Sequence, residues 1–287
     1  MIVDSHVHVW ELPPVAHVGP TAPRWDSLPD EAGSAEMLVA EMDANGIDGA
    51  VLVQSSFSTW DNGYVADAAL AYPDRFVSIG LVDPLDRGNA KTAAYWMDER
   101  GMAGFRFHPM YYNVGDPAEG EILTLPSNAA MFSEIEKREG IVQVHCRPEH
   151  AGQLDVAAGR YPGITWLIDH MMYPLAEWAP HWTPYMPVLA LARHPNVWIK
   201  ISDVHRRSAQ PFPHADMHPV VKAAVDGFGI DHCMWGTGYP GHHRERHGWP
   251  SLAGELKLVR EGYSWLSESD RSKLLGDNAR RLFFDRT

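Results

Sequence analysis

The strongest constraint in this chain is an alternation. Eight short runs rich in apolar and β-branched residues recur along its 287 residues, each followed by a stretch of helical periodicity. The runs are Ile2–Val9, Gly49–Gln54, Phe76–Val82, Ala103–His108, Ile141–His145, Ile164–Asp169, Val197–Ser202 and His232–Thr237. Several are almost continuously apolar, as strands are when both faces are covered. Eight strand–helix repeats predict an α/β fold, a parallel (β/α)8 or TIM barrel, with residues 1–287 as one domain. Loop lengths argue the same way. Returns from helix to strand are short, as in Asn45-Gly46-Ile47-Asp48 and Arg138-Glu139-Gly140. Exits from strand to helix are long: Trp10–Gly33, Pro109–Leu125, Tyr173–Thr183, Asp203–Asp216 and Tyr239–Trp249. The long loops therefore gather at the carboxyl ends of the strands, where such barrels hold their active sites. Within the first, Pro13–Pro29 reads as a loop over the barrel mouth. Ser34 and Gly46 can cap and end the first helix. Pro250 opens another, and a last helix runs from Ser267, with Asp270 in capping-box position, to a stop at Gly276.

Composition excludes several classes. A net charge of −13 argues against nucleic acid and anionic membrane as partners. No apolar run approaches a membrane span. No basic stretch precedes the strand-like Ile2-Val3-Asp4, so no signal peptide is expected and the cytoplasm is the expected location. Cys146 and Cys233 form no Cys-x-x-Cys pair and read as buried small hydrophobes. The chain has no Gly-x-Ser-x-Gly elbow, phosphate loop or dinucleotide fingerprint.

The placement of the histidines matters more than their number. His6 and His8 stand two apart on a strand, so they share a face, which in a barrel is the interior. His145 ends the fifth strand, and with it three imidazoles would leave one metal position open, which suits a catalytic zinc. His170 ends the sixth strand; His108 and His205 end the fourth and seventh, as substrate contacts or as loop residues. Arg106 shares the face of His108, and an inward arginine wants a carboxylate, from a substrate or from an internal acid such as Asp83 or Asp169. Arg147 follows the fifth strand with the same two options. Trp10, Trp25, Trp60, Tyr111, Tyr112, Tyr173, Trp178 and Trp182 crowd the long loops, which suggests a pocket for a flat or cyclic ligand.

Taken in order, "DSHVH", "GFRFHP", "VHC", "IDH", "WGT-x-YP" and "GDNARRLF" resemble the amidohydrolase superfamily in its amidohydrolase-2 branch, from Asp4 to Phe283. That branch includes lactonases and non-oxidative decarboxylases. The resemblance implies metal ligation by His6, His8 and His145, with zinc the expected ion and manganese an alternative; some lactonases of the branch work without a tightly held metal. It makes His170 the histidine that polarises or protonates substrate, and Arg106 a substrate contact; His108, Arg147 and Tyr111 complete the expected substrate-binding set. Dimers are usual in the branch, which makes a homodimer one option and leaves the oligomeric state open.

One position departs from the pattern. The eighth strand of the family ends in G-[ST]-D-x-P, its aspartate serving as ligand and base, whereas this chain has Gly238. Three readings follow: hydrolysis of a lactone with the proton carried by His170, Asp203, His242 or Glu245; decarboxylation of a small carboxylic acid; or binding without turnover. Hydrolysis is preferred to binding alone, because an idle protein has little reason to keep the ordered histidines. A lactone suits the missing acid better than an amide, since its alkoxide leaves more easily than an amine, and the substrate is expected to be small, with a carboxylate or a polar ring.

Overall fold

The computed structural model describes residues 1–14, 28–58, 60–111, 121–241 and 244–285, with Tyr111 as backbone alone. Eight parallel strands follow one another in sequence order around a single sheet. They are β1 (Val3–Val7), β2 (Gly49–Val53), β3 (Phe76–Gly80), β4 (Gly104–Phe107), β5 (Ile141–Val144), β6 (Thr165–Ile168), β7 (Val197–Ile201) and β8 (Cys233–Trp235). Each lies inside the run expected for it and is shorter at one or both ends, because the flanking residues turn away to start the loops. The barrel closes between its last and first strands. There the Gly238 N–H donates to the His6 carbonyl at 2.7 Å, His8 N–H to the Tyr239 carbonyl at 2.8 Å, and Ser5 Oγ to the Trp235 carbonyl at 2.6 Å. The fold is a single-domain (β/α)8 barrel.

Alternate residues of a strand share a face, and the inner face is layered. Along β5, β6 and β7 it runs from Ile141 to Gln143, from Leu167 to Asp169 and from Trp198 to Lys200. The apolar members join Val51, Ile79, Met234, Leu282 and Phe283 in one buried cluster. Polar side chains therefore appear only above an apolar floor, and they are buried when they do.

The helices cover the outside. α1 (Ala35–Asn45) begins and ends as expected: Ser34 Oγ accepts from the Met37 N–H, and Gly46 takes the left-handed conformation at φ 66°. α2 (Gly63–Ala71), α3 (Asn89–Asp98), α4 (Ala129–Glu136), α5 (Ala151–Arg160), α6 (Met186–Leu189), α7 (His218–Phe228) and α8 (Leu252–Lys257) follow in turn. Two expectations need correction. Ser251, not Pro250, caps α8, because its hydroxyl accepts from the Gly254 N–H. Gly276 does not stop the last helix, which continues to Phe283 through a wider π turn. A β-carbon at 276 would come within 2.0 Å of the Met1 carbonyl oxygen, so the glycine serves close packing rather than termination. The expected mouth loop Pro13–Pro29 lies mostly outside the described residues, though Trp10 and Gly33 pair at its base.

Candidate active site

A cavity of about 510 Å³ opens at the carboxyl ends of the strands. His8, Arg106, His145, His170, Asp203 and Gly238 all line it, so one pocket brings together expected residues from six strands. His6 lies directly beneath, fully buried, with its ring centroid 5.0 Å from that of His8 and 4.8 Å from that of His170. Other expected residues fall elsewhere. His108 is buried, with Nε2 3.0 Å from Ser56 Oγ. Arg147 is exposed and outside the lining. His205 faces Glu255 at 2.8 Å beneath the last loop, and Glu245 is exposed. The side chain of Tyr111, with Trp25, Tyr112 and His242, falls outside the described residues. Of the aromatics, Trp10 and Tyr173 line the pocket, whereas Trp60, Trp178 and Trp182 pack on the core.

Beneath the pocket sits a closed group of charges. Arg106 Nε donates to Asp169 Oδ2 at 2.6 Å, and Lys200 Nζ lies 3.1 Å from Asp169 Oδ1. Arg106 thus takes the internal acid that the sequence left open as its partner. Lys200 is also 3.1 Å from His6 Nδ1, with Asp169 Oδ1 on the same nitrogen at 3.4 Å. Burial opposes charge on the Asp169 carboxyl, but Lys200, Arg106 and His6 outweigh it and hold its pKa well below the ordinary value. Burial lowers Lys200 to about 8 despite that partner. Two cations against one carboxylate leave the pocket floor positive, a setting that favours an anionic ligand.

Burial disfavours the charged form of the pocket imidazoles. Burial, aided by Arg106, lowers His8 to about 3 and holds His145 well below its ordinary value. Burial also brings His170 down to about 4, although Asp203 and Asp169 pull the other way. Arg106 Nη2 stands 3.4 Å from His170 Nε2, and since a guanidinium only donates, the His170 proton sits on Nδ1, 2.8 Å from Ser202 Oγ.

This donor set fits a divalent cation. His8 Nδ1 lies 2.8 Å from the Val53 carbonyl, so that nitrogen carries the proton and Nε2 keeps a lone pair. His6 Nε2 is buried without a hydrogen-bond partner among the described residues, and it keeps a lone pair when Nδ1 donates to Asp169 Oδ1 rather than accepting from Lys200. Neutral imidazoles with one nitrogen fixed by an oxygen are what metal ligation asks for. Among the described residues, one group, His6, Asp169 and His170, brings its ligand atoms within 4.8 Å of one another. His145, the third expected ligand, holds its Nε2 against the Tyr173 hydroxyl at 2.5 Å.

At position 238 the glycine has φ 67°, a left-handed conformation that a side chain would strain. A β-carbon there would stand 3.6 Å from Asp203 Oδ1. Asp203, at the end of β7, thus brings a carboxylate beside the place where the β8 side chain is missing. Burial opposes its charge, but His170, Arg206, His205 and Arg244 outweigh burial and keep its pKa below the ordinary value. Its Oδ2 accepts from Arg206 at 3.0 Å and lies 3.6 Å from His170 Nδ1.

A family model described as "Amidohydrolase" matches residues 3–284, almost the whole chain. This chain belongs to the amidohydrolase family. Among curated relatives, L-fucono-1,5-lactonase of Burkholderia ambifaria is 26% identical over 260 residues, which cover 86% of this amidohydrolase and 84% of that protein. The 4-sulfomuconolactone hydrolase of Hydrogenophaga intermedia is 25% identical, over 98% of this chain and 88% of its own. The same fold occurs in a crystal structure of a "probable 2-pyrone-4,6-dicarboxylic acid hydrolase" of Acinetobacter baumannii with citric acid bound. It superposes with a TM-score of 0.79 at 22% identity, covering 98% of each chain. Among the described residues of this amidohydrolase, no helix is long and apolar enough to cross a membrane.

Sequence reasoning passed over three groups of the site. Lys200 sits in an apolar strand, "VWIKI", where a lone inward lysine was the available signal. Asp169 adjoins the conspicuous His170 and entered only as a partner for arginine. Tyr173 was counted among the loop aromatics with nothing to set it apart.

Proposed function

We propose that this amidohydrolase opens a small anionic lactone by hydrolysis. The observation that carries the reading is the ionised Asp203 carboxylate in the cavity that His8 and His170 also line. Both curated relatives carry the names of lactone hydrolases, which supports the same class of substrate.

His6 and His8 would hold a divalent cation, with His145 as the third imidazole if its Nε2 gives up the Tyr173 hydroxyl. A nitrogen-only set favours zinc, with manganese second. Such a cation would lower the pKa of a water to about 7 and polarise the lactone carbonyl.

The chain's own residues supply the rest. Asp203 accepts the proton of the attacking water as the new C–O bond forms at the carbonyl carbon. When the ring C–O bond breaks, the same carboxyl returns that proton to the departing alkoxide, and the product acid ionises to solvent. His170, kept neutral, holds its Nδ1–H toward Ser202 and the Asp203 carboxylate. Arg106 and Lys200 make the floor positive for a substrate carboxylate, and Arg206 and Arg207 stand exposed at the rim.

The test is a lactone panel in a pH-stat, with elemental analysis of protein purified without chelator. Acid release from at least one lactone, with about one zinc or manganese per chain, is the expected result. Evolution of carbon dioxide from an aromatic acid without acid release from any lactone would instead identify a decarboxylase. Ligand binding with neither would identify a protein that only binds.

A further inference from the structure

The chain leaves β6 in an unusual way. His170, Met171, Met172 and Tyr173 have φ of 50°, 54°, 58° and 56°, so four consecutive side-chain-bearing residues lie in the left-handed region. Each costs roughly 1–2 kcal/mol relative to the right-handed form, and such residues ordinarily occur singly. A run of four persists only where its surroundings fix it.

The geometry shows what the turn achieves. The Tyr173 N–H donates to the His170 carbonyl at 2.8 Å, closing one left-handed turn that puts residues 170 and 173 on the same side. Their rings lie 5.2 Å apart, and both line the cavity. The Tyr173 hydroxyl reaches His145 Nε2, at the end of the neighbouring β5, at 2.5 Å. The Arg207 guanidinium lies over the Tyr173 ring at 4.6 Å and keeps it against the pocket wall. Met171 and Met172 point into the core, where both are buried, and anchor the turn. Strain, anchors and the covering cation together place one phenolic O–H among His145, His170 and the open volume.

We propose that Tyr173 is a further catalytic residue, whose hydroxyl donates a hydrogen bond to the carbonyl oxygen of the substrate as negative charge develops there. The assignment rests on the hydrolase reading above. Resting on His145, the O–H swings toward the cavity when a carbonyl enters. No proton is transferred by Tyr173: the phenol keeps its O–H bond, and the proton of water passes through Asp203 as already described. Donors aimed at a developing oxyanion typically contribute about 10²–10³ in rate.

Tyr173→Phe keeps the ring beneath Arg207 and removes only the hydroxyl. On a lactone that the parent hydrolyses, kcat should fall about 10²–10³-fold while KM changes by less than about threefold. The thermal midpoint, measured alongside, should stay within a few degrees. A thionolactone separates direct contact from an effect passed through His145, because a C=S group accepts hydrogen bonds poorly. The parent-to-variant ratio should shrink to a few-fold on that substrate. An equal ratio on both substrates would make Tyr173 a support for His145 and overturn the proposal. So would a variant within threefold of the parent on the ordinary lactone. A parent that hydrolyses no lactone in the panel would refute the hydrolase reading and the role of Tyr173 with it.

Discussion

Asp203 Oδ1 stands 3.6 Å from where a β-carbon on Gly238 would be, so two neighbouring strands share one space for a single carboxylate. Installing the family's aspartate at 238 would set a second carboxylate against the first and force a side chain onto a left-handed backbone. Gly238→Asp should therefore lower activity at least tenfold and reduce the thermal midpoint. Lactone hydrolysis and differential scanning fluorimetry read both, and a gain in activity would show that Asp203 does not fill the role. Asp203→Asn combined with Gly238→Asp should recover activity above either single change.

Asp203→Asn alone keeps the shape and removes the base, so kcat should drop by about 10²–10⁴. Its neighbours hold the Asp203 carboxyl below the ordinary aspartate value. Activity should therefore persist as pH falls through the ordinary aspartate range and be lost only below it. An acid limb well above the ordinary aspartate value would overturn the assignment of Asp203 as the base.

Asp169 lies between two buried cations, with Arg106 at 2.6 Å and Lys200 at 3.1 Å. Asp169→Asn should cost about 3–5 kcal/mol, because it strands both charges inside the barrel. Lys200→Met with the aspartate kept should be milder, since Arg106 still pairs with it. Urea denaturation of the three proteins gives the ranking, and equal losses would contradict the arrangement.

Alkaline pH tests the packing around Tyr185 and Tyr263. Both are fully buried with hydroxyls that find no partner among the described residues, and burial pushes both phenols above their ordinary value. The folded state keeps these protons after the unfolded chain releases them near pH 10. Their contribution is complete below about pH 10 and is lost as pH rises beyond it, at about 1.4 kcal/mol per unit for each phenol. The double change Tyr185→Phe, Tyr263→Phe should flatten that alkaline slope and leave the midpoint at pH 7 unchanged or higher. An unaltered slope would mean that other groups govern alkaline unfolding.

The barrel was legible because strand placement depends on local apolar runs, and each of the eight runs contains its strand. Arg106, His145, His170 and Gly238 were legible as pocket residues because strand ends and face parity fix where they point. What escaped depends on conformation the alphabet does not encode. Nothing in "DHMMY" announces four left-handed residues, so Tyr173 reads as an ordinary loop aromatic until the backbone is seen. Gly276 reads as a helix stop because its real reason, the nearby Met1 carbonyl, is remote in sequence. Lys200 gains its meaning only from Asp169 and His6, which two other segments bring to it.

The left-handed turn also limits how this chain can be altered. Its strain, roughly 4–8 kcal/mol over four residues, is comparable with the whole ~5–15 kcal/mol by which a domain is stable. Met171 and Met172 offset it by about 1.5–3 kcal/mol each through burial. A glycine at either position would relieve strain and lose an anchor in one step, so single substitutions leave little net gain. The segment holds together as a block. A more heat-resistant version of this protein would have to be sought in the outer helices, and a graft of this turn into a relative would need both methionines and the core that receives them.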